Sequence, residues 1–328
     1  MIGWSSIVGQ EDAVGRLRKL CKGERMPHAL LFAGPESVGK YLAAKTLAAA
    51  LLCESGDAPC GTCRSCRMVE NESHPDLVVV RPDKQNIKIG EIRKMQKDLS
   101  LAPYMAERRV CIIDEADKMR DEAANSILKT LEEPVGDVVF ILITAKRYQL
   151  LDTIRSRCML VQFGSVPWDT LASELVRRGA NEKDAFLAAR LAGGRFAPAE
   201  EILAEDGQSA RQAAIDLFFR AVTMSEKDIW QTASAWDMCE RDEVLRRLGS
   251  LKLLVRDAMV YAADLDEQII NSDCLERFAQ AKNVWSQRTL SLFMRELVKR
   301  EQSVKNNGNI KLVIEAMLLA WRSMIQRR

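Results

Sequence analysis

The stretch GPESVGKY, residues 34–41, constrains this chain more than any other. Gly34, Gly39 and Lys40 stand at the G-x-x-x-x-G-K spacing of a phosphate-binding loop. Such a loop needs a buried strand leading in and a helix leading out. Backbone N–H groups and the helix N-terminus then converge on a phosphate. Both elements are legible. Residues 28–33 (HALLFA) read as a short buried strand, and 40–53 (KYLAAKTLAAALLC) are rich in the helix formers Ala and Leu. Lys40 would reach the β- and γ-phosphates. The bland alternative is a glycine turn without a ligand, and the strand–loop–helix context favours the phosphate loop. One position departs from the pattern: the hydroxyl residue expected after the lysine is Tyr41.

The rest of the first half reads as a parallel sheet. Residues 76–80 (DLVVV), 109–113 (RVCII) and 138–144 (VVFILIT) are short, apolar and β-branched, and 159–163 (MLVQF) is a further candidate. Helical patterns at 89–99 and 121–131 lie between them, the second ended by Glu133-Pro134. Strands alternating with helices predict an α/β domain with helices on both faces of a parallel sheet. Beyond residue 163 the strand signal stops. Short helices are expected around Gly179 and Gly193-Gly194, then an almost wholly helical stretch from about 208, ending in the apolar run 310–325. The expected organisation is an α/β domain over 1–164, a small helical domain over 165–207 and a helical domain over 208–328.

With 47% apolar residues the chain can bury such cores. Its 48 basic and 46 acidic residues leave a net charge of +2, which gives no broad electrostatic footprint for nucleic acid. Any DNA contact would be local or shared with partner chains. No apolar run has the length of a membrane span, and the first residues lack the pattern of a signal peptide, so a cytoplasmic protein without a membrane partner is expected. Nine cysteines in that setting are not a disulfide framework.

Two clusters carry chemistry beside the loop. Residues 110–117 (VCIIDEAD) form a strand that delivers Asp114 and Glu115 at its end. In P-loop NTPases the aspartate holds Mg²⁺ and the next acid acts on the attacking water. Alone, such a pair is more often a helix N-terminus with first-turn charge. Cys53, Cys60, Cys63 and Cys66 fall within CESGDAPCGTCRSC, where four thiolates suit a closed, structural Zn²⁺ site. A redox C-x-x-C pair is the alternative, and it leaves two of the four unexplained. His74 reads as loop structure, and the remaining cysteines as small apolar residues.

Five segments then occur in a fixed order: IVGQEDAV at 7–14, GPESVGK at 34–40, IIDEADKM at 112–119, NSILKTLEEP at 125–134 and TIRSRC at 153–158. In this the chain resembles the bacterial clamp-loader subunits of the AAA+ ATPases, over at least residues 4–164. The resemblance implies an AAA+ P-loop domain, a small helical lid and an all-α collar. It implies membership of the DNA polymerase III clamp loader, which places a ring-shaped sliding clamp on primed DNA. The implied partners are motor (gamma/tau) subunits, a clamp-opening delta subunit, the clamp and, through the assembly, DNA. Segment 7–14 resembles the stretch that closes over an adenine base in the family, its bland counterpart being a simple helix N-terminus, and the cysteine cluster resembles the family's zinc module.

The resemblance also assigns Ser156-Arg157-Cys158 as the motif whose arginine enters a neighbour's nucleotide site and stabilises transition-state charge in trans. Its bland counterpart is a surface ion pair, with Arg155 next door. Other motor parts are missing. The lid arginine position, within 194–199 (GRFAPA), falls on Ala197, with Arg195 out of register. The polar residue closing the strand 138–144 is Thr144, or Ala145 in its place. A tyrosine after Lys40 puts its oxygen several bonds too far from the backbone to ligate Mg²⁺. The expectation is a non-motor subunit whose own ATP/Mg²⁺ site (Gly34, Gly39, Lys40, Asp114, Glu115) is degenerate, binding nucleotide weakly or not at all, while Arg157 serves a neighbour. An active gamma/tau-like motor is the alternative, opposed by Tyr41 and Ala197. An unrelated zinc-containing P-loop protein is a third reading, opposed by the ordered motif series.

Overall fold

The computed structural model describes residues 2–23, 26–56, 58–83, 86–221, 223–281 and 285–326. It divides into two compact units, Met1–Glu174 with Gly193–Phe196, and Leu175–Ala192 with Ala197–Arg328.

The first unit alternates strands and helices as its apolar pattern demands. α1 (Glu11–Lys22), β1 (Ala29–Ala33), α2 (Lys40–Leu52) and α3 (Arg64–Glu70) are followed by β2 (Leu77–Val80), α4 (Ile89–Leu99) and β3 (Arg109–Ile113). Then come α5 (Asp121–Glu132), β4 (Val138–Thr144), α6 (Asp152–Arg155) and β5 (Met159–Gln162). The five strands pair in parallel in the order β2-β3-β4-β1-β5. Alternate residues of one strand serve opposite faces. Leu30 and Phe32 of β1 join a core with α2 residues such as Ala44 and Leu47, whereas Ala29 and Leu31 join Ile92, Met95 and Ile127 of α4 and α5. Both faces are thus covered, which is why the strands read as continuous apolar runs. The chain order places β4 and β3 between β1 and β2, so the loops after β1, β3 and β4 open together at the carboxyl edge, where ligands bind in open α/β sheets.

A buried carboxylate shapes the far side of this sheet. Asp76 is fully buried and accepts the backbone N–H groups of Tyr104, Met105 and Ala106 at 2.6, 2.7 and 3.0 Å. It pins the loop that returns the chain from α4 to β3.

α7 (Trp168–Arg177) and α9 (Phe196–Leu203) carry the chain between the units, with α8 (Glu182–Leu191) in the second. The second unit continues with α10 (Glu205–Arg220), α11 (Glu226–Asp237), α12 (Arg241–Tyr261), α13 (Leu275–Ala281), α14 (Gln287–Lys305) and α15 (Ile310–Gln326). α12 packs on α10 and α14, and α15 on α11 and α14. Their core is aromatic at its centre: Phe293 stacks on Trp321 at 4.5 Å and Phe218 on Trp285 at 5.1 Å. Trp285, Met317 and Trp321 are all core residues, Met317 and Trp321 on α15 as their helical spacing suggests, but Trp285 precedes α14 and lies outside any helix. α10 runs without a break through residues 207 and 208. Among the described residues, no helix is long and apolar enough to cross a membrane.

Candidate functional site

The glycine loop lies between β1 and α2, as its context requires. Gly34 leaves the strand against β5's exit: a Cβ there would lie 2.2 Å from the Phe163 carbonyl oxygen. Ser37 and Gly39 both have positive φ, and Gly39 caps α2. Lys40 opens that helix and is buried. Its Nζ donates to the Gly34 carbonyl at 2.7 Å and to the Pro35 carbonyl, so the ammonium closes the loop on itself. Burial pulls its pKa down, opposed by the carboxylates of Glu36, Asp114 and Asp117. Gln10, from segment 7–14, is a further clasp. Its amide donates to the carbonyls of Val38 and Gly164, and accepts the Gly164 N–H.

Tyr41 points away from the loop into a charged cluster. Its hydroxyl donates to Glu72 at 2.7 Å and accepts from Arg81, whose guanidinium lies over the ring, 4.7 Å from its centroid. Arg81 pairs with Glu72 through both nitrogens, and Lys45 lies 3.5 Å from the same carboxylate. The Arg81 bonds hold the Glu72 carboxyl at about 2, aided by Tyr41 and Lys45. Burial and the bond to Glu72 push the phenol up, so it remains a neutral donor. Arg81 follows β2 as Asp114 follows β3, and its charge reaches Asp114. A fixed monovalent cation therefore stands beside the carboxylate that would hold Mg²⁺.

Asp114 is part-buried, and burial raises its pKa against the pull of the Glu115 N–H, Arg81 and Lys40. Glu115 has a left-handed backbone and pairs with Lys118. Thr144 closes β4, beside Ala33 in register, but its hydroxyl donates to Asp117 at 2.6 Å. The backbone of the lid stretch reaches the loop within the first unit: the Phe196 N–H donates to the Ser37 carbonyl at 2.8 Å. Ala197 follows in α9 with only a methyl to offer.

Arg157 follows α6 and is part-exposed. Its Nε donates to Glu132, the last residue of α5, at 2.7 Å, and Nη2 pairs with the same carboxylate oxygen. Nη1 donates to the Thr153 carbonyl at 2.9 Å. The neighbouring Arg155 is tied to Asp152 and stands over the Tyr148 ring at 5.5 Å.

The four cysteines converge at the end of α2 and the start of α3. Their sulfurs all lie within 4.8 Å of one another, with Cys53–Cys63 at 3.9 Å and Cys60–Cys66 at 4.0 Å. A tetrahedral site with Zn–S near 2.3 Å needs sulfurs about 3.8 Å apart, so the set fits a Zn²⁺ ion. Three backbone donors face the sulfurs: Cys63 N–H to Cys60 and Cys66 N–H to Cys63, each at 3.3 Å, and Ser55 N–H to Cys53 at 3.4 Å. Such bonds favour thiolates, and they draw Cys60 down to about 6. His74 is outside the set. It is buried and bonded to Ser65, while its Nδ1 accepts the Asp76 N–H. Cys111, Cys158 and Cys274 are buried, and Cys21 and Cys239 half-buried.

Strand, glycine loop, helix and a second acidic strand define a P-loop domain of the AAA+ class. Two family models match, described as DNA polymerase III, delta subunit, over residues 9–167, and DNA polymerase III, delta subunit, C terminal, over 206–323. The chain belongs to this family of DNA polymerase III subunits. It is 28% identical to the DNA polymerase III subunit delta' of Bacillus subtilis over 300 residues, 90% of this chain and 91% of the relative. To the tau subunit of the same organism it is 36% identical over 162 residues, 49% of this chain and 29% of that one. Among solved structures, a gamma subunit-related protein of Thermotoga maritima aligns with a TM-score of 0.47 and 19% identity, covering 94% of this chain and 99% of that one.

Proposed function

We propose that the chain is the non-motor, delta-prime-type subunit of the DNA polymerase III clamp loader. It works in the cytoplasm beside gamma/tau motor subunits and a delta subunit, in an assembly that loads the sliding clamp onto primed DNA. Relatives named delta' align along nearly the whole of both chains, whereas matches to tau subunits cover 48–69% of this one and 24–34% of the relative. The non-motor reading is carried by one observation: Tyr41 is committed to Glu72 and Arg81 and cannot ligate Mg²⁺. The lid contributes no arginine at Ala197, and Lys40 is spent on loop carbonyls. Phosphoryl transfer depends on such charge-stabilising parts, so useful turnover at this site is not expected. We assign the cysteine cluster a structural zinc, residues 165–207 a lid and 208–328 a collar, with α10 running across their boundary.

Arg157 then acts on a neighbour. It is permanently charged, part-exposed and placed at the end of α6, suited to reach a phosphate held by an adjoining subunit. The test is ATP turnover by the isolated chain, then by a complex reconstituted with its motor subunit, native against Arg157→Ala. A silent chain and a sharp fall in the variant complex are expected. Turnover by the chain alone, with Arg157→Ala indifferent in the complex, would make this protein a motor.

A further inference from the structure

We infer that Glu132 is a positioning residue for Arg157, holding the guanidinium ready for the neighbouring nucleotide. This rests on the trans role of Arg157 given above. Arginine offers five N–H donors in a planar fork. Here Nε and one Nη2 hydrogen engage Glu132, and one Nη1 hydrogen engages the Thr153 carbonyl. Nη1 also donates a longer bond, 3.3 Å, to the Ser156 hydroxyl, which itself donates to the Thr153 carbonyl. The second Nη2 hydrogen has no partner among the described residues. Glu132 thus fixes the guanidinium through Nε and Nη2, leaving an Nη2 hydrogen, and the Nη1 hydrogen held only by the longer Ser156 bond, to turn to phosphate oxygens.

The place of Glu132 argues for the same task. It ends α5, where the helix's own dipole is negative and a carboxylate is disfavoured. Arg157 offsets that cost. α5 is stopped by Pro134, and its buried residues Ala123, Ala124, Ile127 and Leu131 fix it against the sheet, so Glu132 is mounted on a rigid element. A long arginine side chain without such a partner samples many rotamers, and only a few aim the fork correctly. Losing that alignment should slow the assisted step about ten- to a hundredfold, whereas losing the arginine should cost roughly a thousandfold or more.

The test is single-turnover ATP hydrolysis in the reconstituted complex, following the phase contributed by the neighbouring site. Native chain, Glu132→Gln, Arg157→Ala and the double variant are compared. Glu132→Gln should slow that phase with the nucleotide affinity of the site unchanged. It should have no further effect in the Arg157→Ala background. Thermal melts of the isolated chain should stay within a few degrees of native for both single variants, since a part-exposed pair contributes little to stability. Equal slowing in both backgrounds would overturn the inference, because Glu132 would then act without Arg157. Acceleration by Glu132→Gln would overturn it too, making Glu132 a latch that restrains the arginine. No effect of Glu132→Gln, with Arg157→Ala still slow, would refute the positioning role alone. Indifference to Arg157→Ala would remove the trans role itself.

Discussion

Replacing Tyr41 by Thr restores the hydroxyl that the loop lacks, yet it should not restore a nucleotide site. The phenol gives up its 2.7 Å bond to the Glu72 carboxylate, a contact of roughly 1.5–3 kcal/mol when the acceptor is charged. It also gives up its ring beneath Arg81, worth about 0.5–1 kcal/mol at a half-open site. Arg81 and Glu72 keep each other, and water screens the cluster, so the net loss of stability belongs at the lower end, about 2 kcal/mol. Nothing is gained in return while Arg81 stays beside Asp114. A unit charge and a divalent ion one Debye length apart, about 8 Å, would repel by roughly 1–4 kcal/mol for an effective dielectric between 80 and 20. That is about a five- to thousandfold penalty on Mg-ATP. Tyr41→Thr alone should therefore bind Mg-ATP no better than native. The pair Tyr41→Thr with Arg81→Ser should bind it at least about fivefold more tightly than Tyr41→Thr. Titration calorimetry of the isolated chains, with and without Mg²⁺, measures this, and urea unfolding measures the stability term. Equal Mg-ATP affinity of the single and double variants would refute the argument that Arg81 guards the cation position.

Two further outcomes follow from the first unit. Protein purified without chelators should carry about one zinc per chain by elemental analysis, and Cys66→Ser should lose it together with hydrogen-exchange protection across α3; full protection in a metal-free protein would contradict the assignment. Asp76→Ala should destabilise by about 3–5 kcal/mol in urea unfolding, because three backbone donors lose a buried acceptor. Burial alone would raise the Asp76 pKa, but the donors outweigh it and hold it below its usual 3.8. A carboxylate with a depressed folded pKa stabilises above its unfolded value and loses that contribution as pH falls below it. The gap between native and Asp76→Ala should thus be full near neutral pH and narrow below about pH 4; a gap that is constant with pH would refute the ionic account.

The strands were legible because both sheet faces are covered. β4 coincides with the run 138–144, and β1 and β2 lack only the polar first residues of the stretches 28–33 and 76–80. α5 extends to Glu132, one residue past its apolar pattern, since only Pro134 stops it. The motif residues were equally legible, being local in sequence. Their partners were not. Glu72 and Arg81 stand 31 and 40 residues from Tyr41, and Glu132 stands 25 from Arg157. No spacing rule links them; the sheet order and the helix ends do. The sequence could show that Tyr41 fails as a ligand, but not that it had been recruited to other work.

Gly34 is read first as a phosphate-loop residue, and the structure gives it a second employment. A side chain there would collide with the backbone of Phe163, whose ring packs against Phe32 beneath the loop. The glycine would be needed in this fold if no nucleotide ever arrived. A degenerate loop can therefore keep its outline for reasons of carpentry, and the letters that survive in it record how the sheet is joined as much as what it holds.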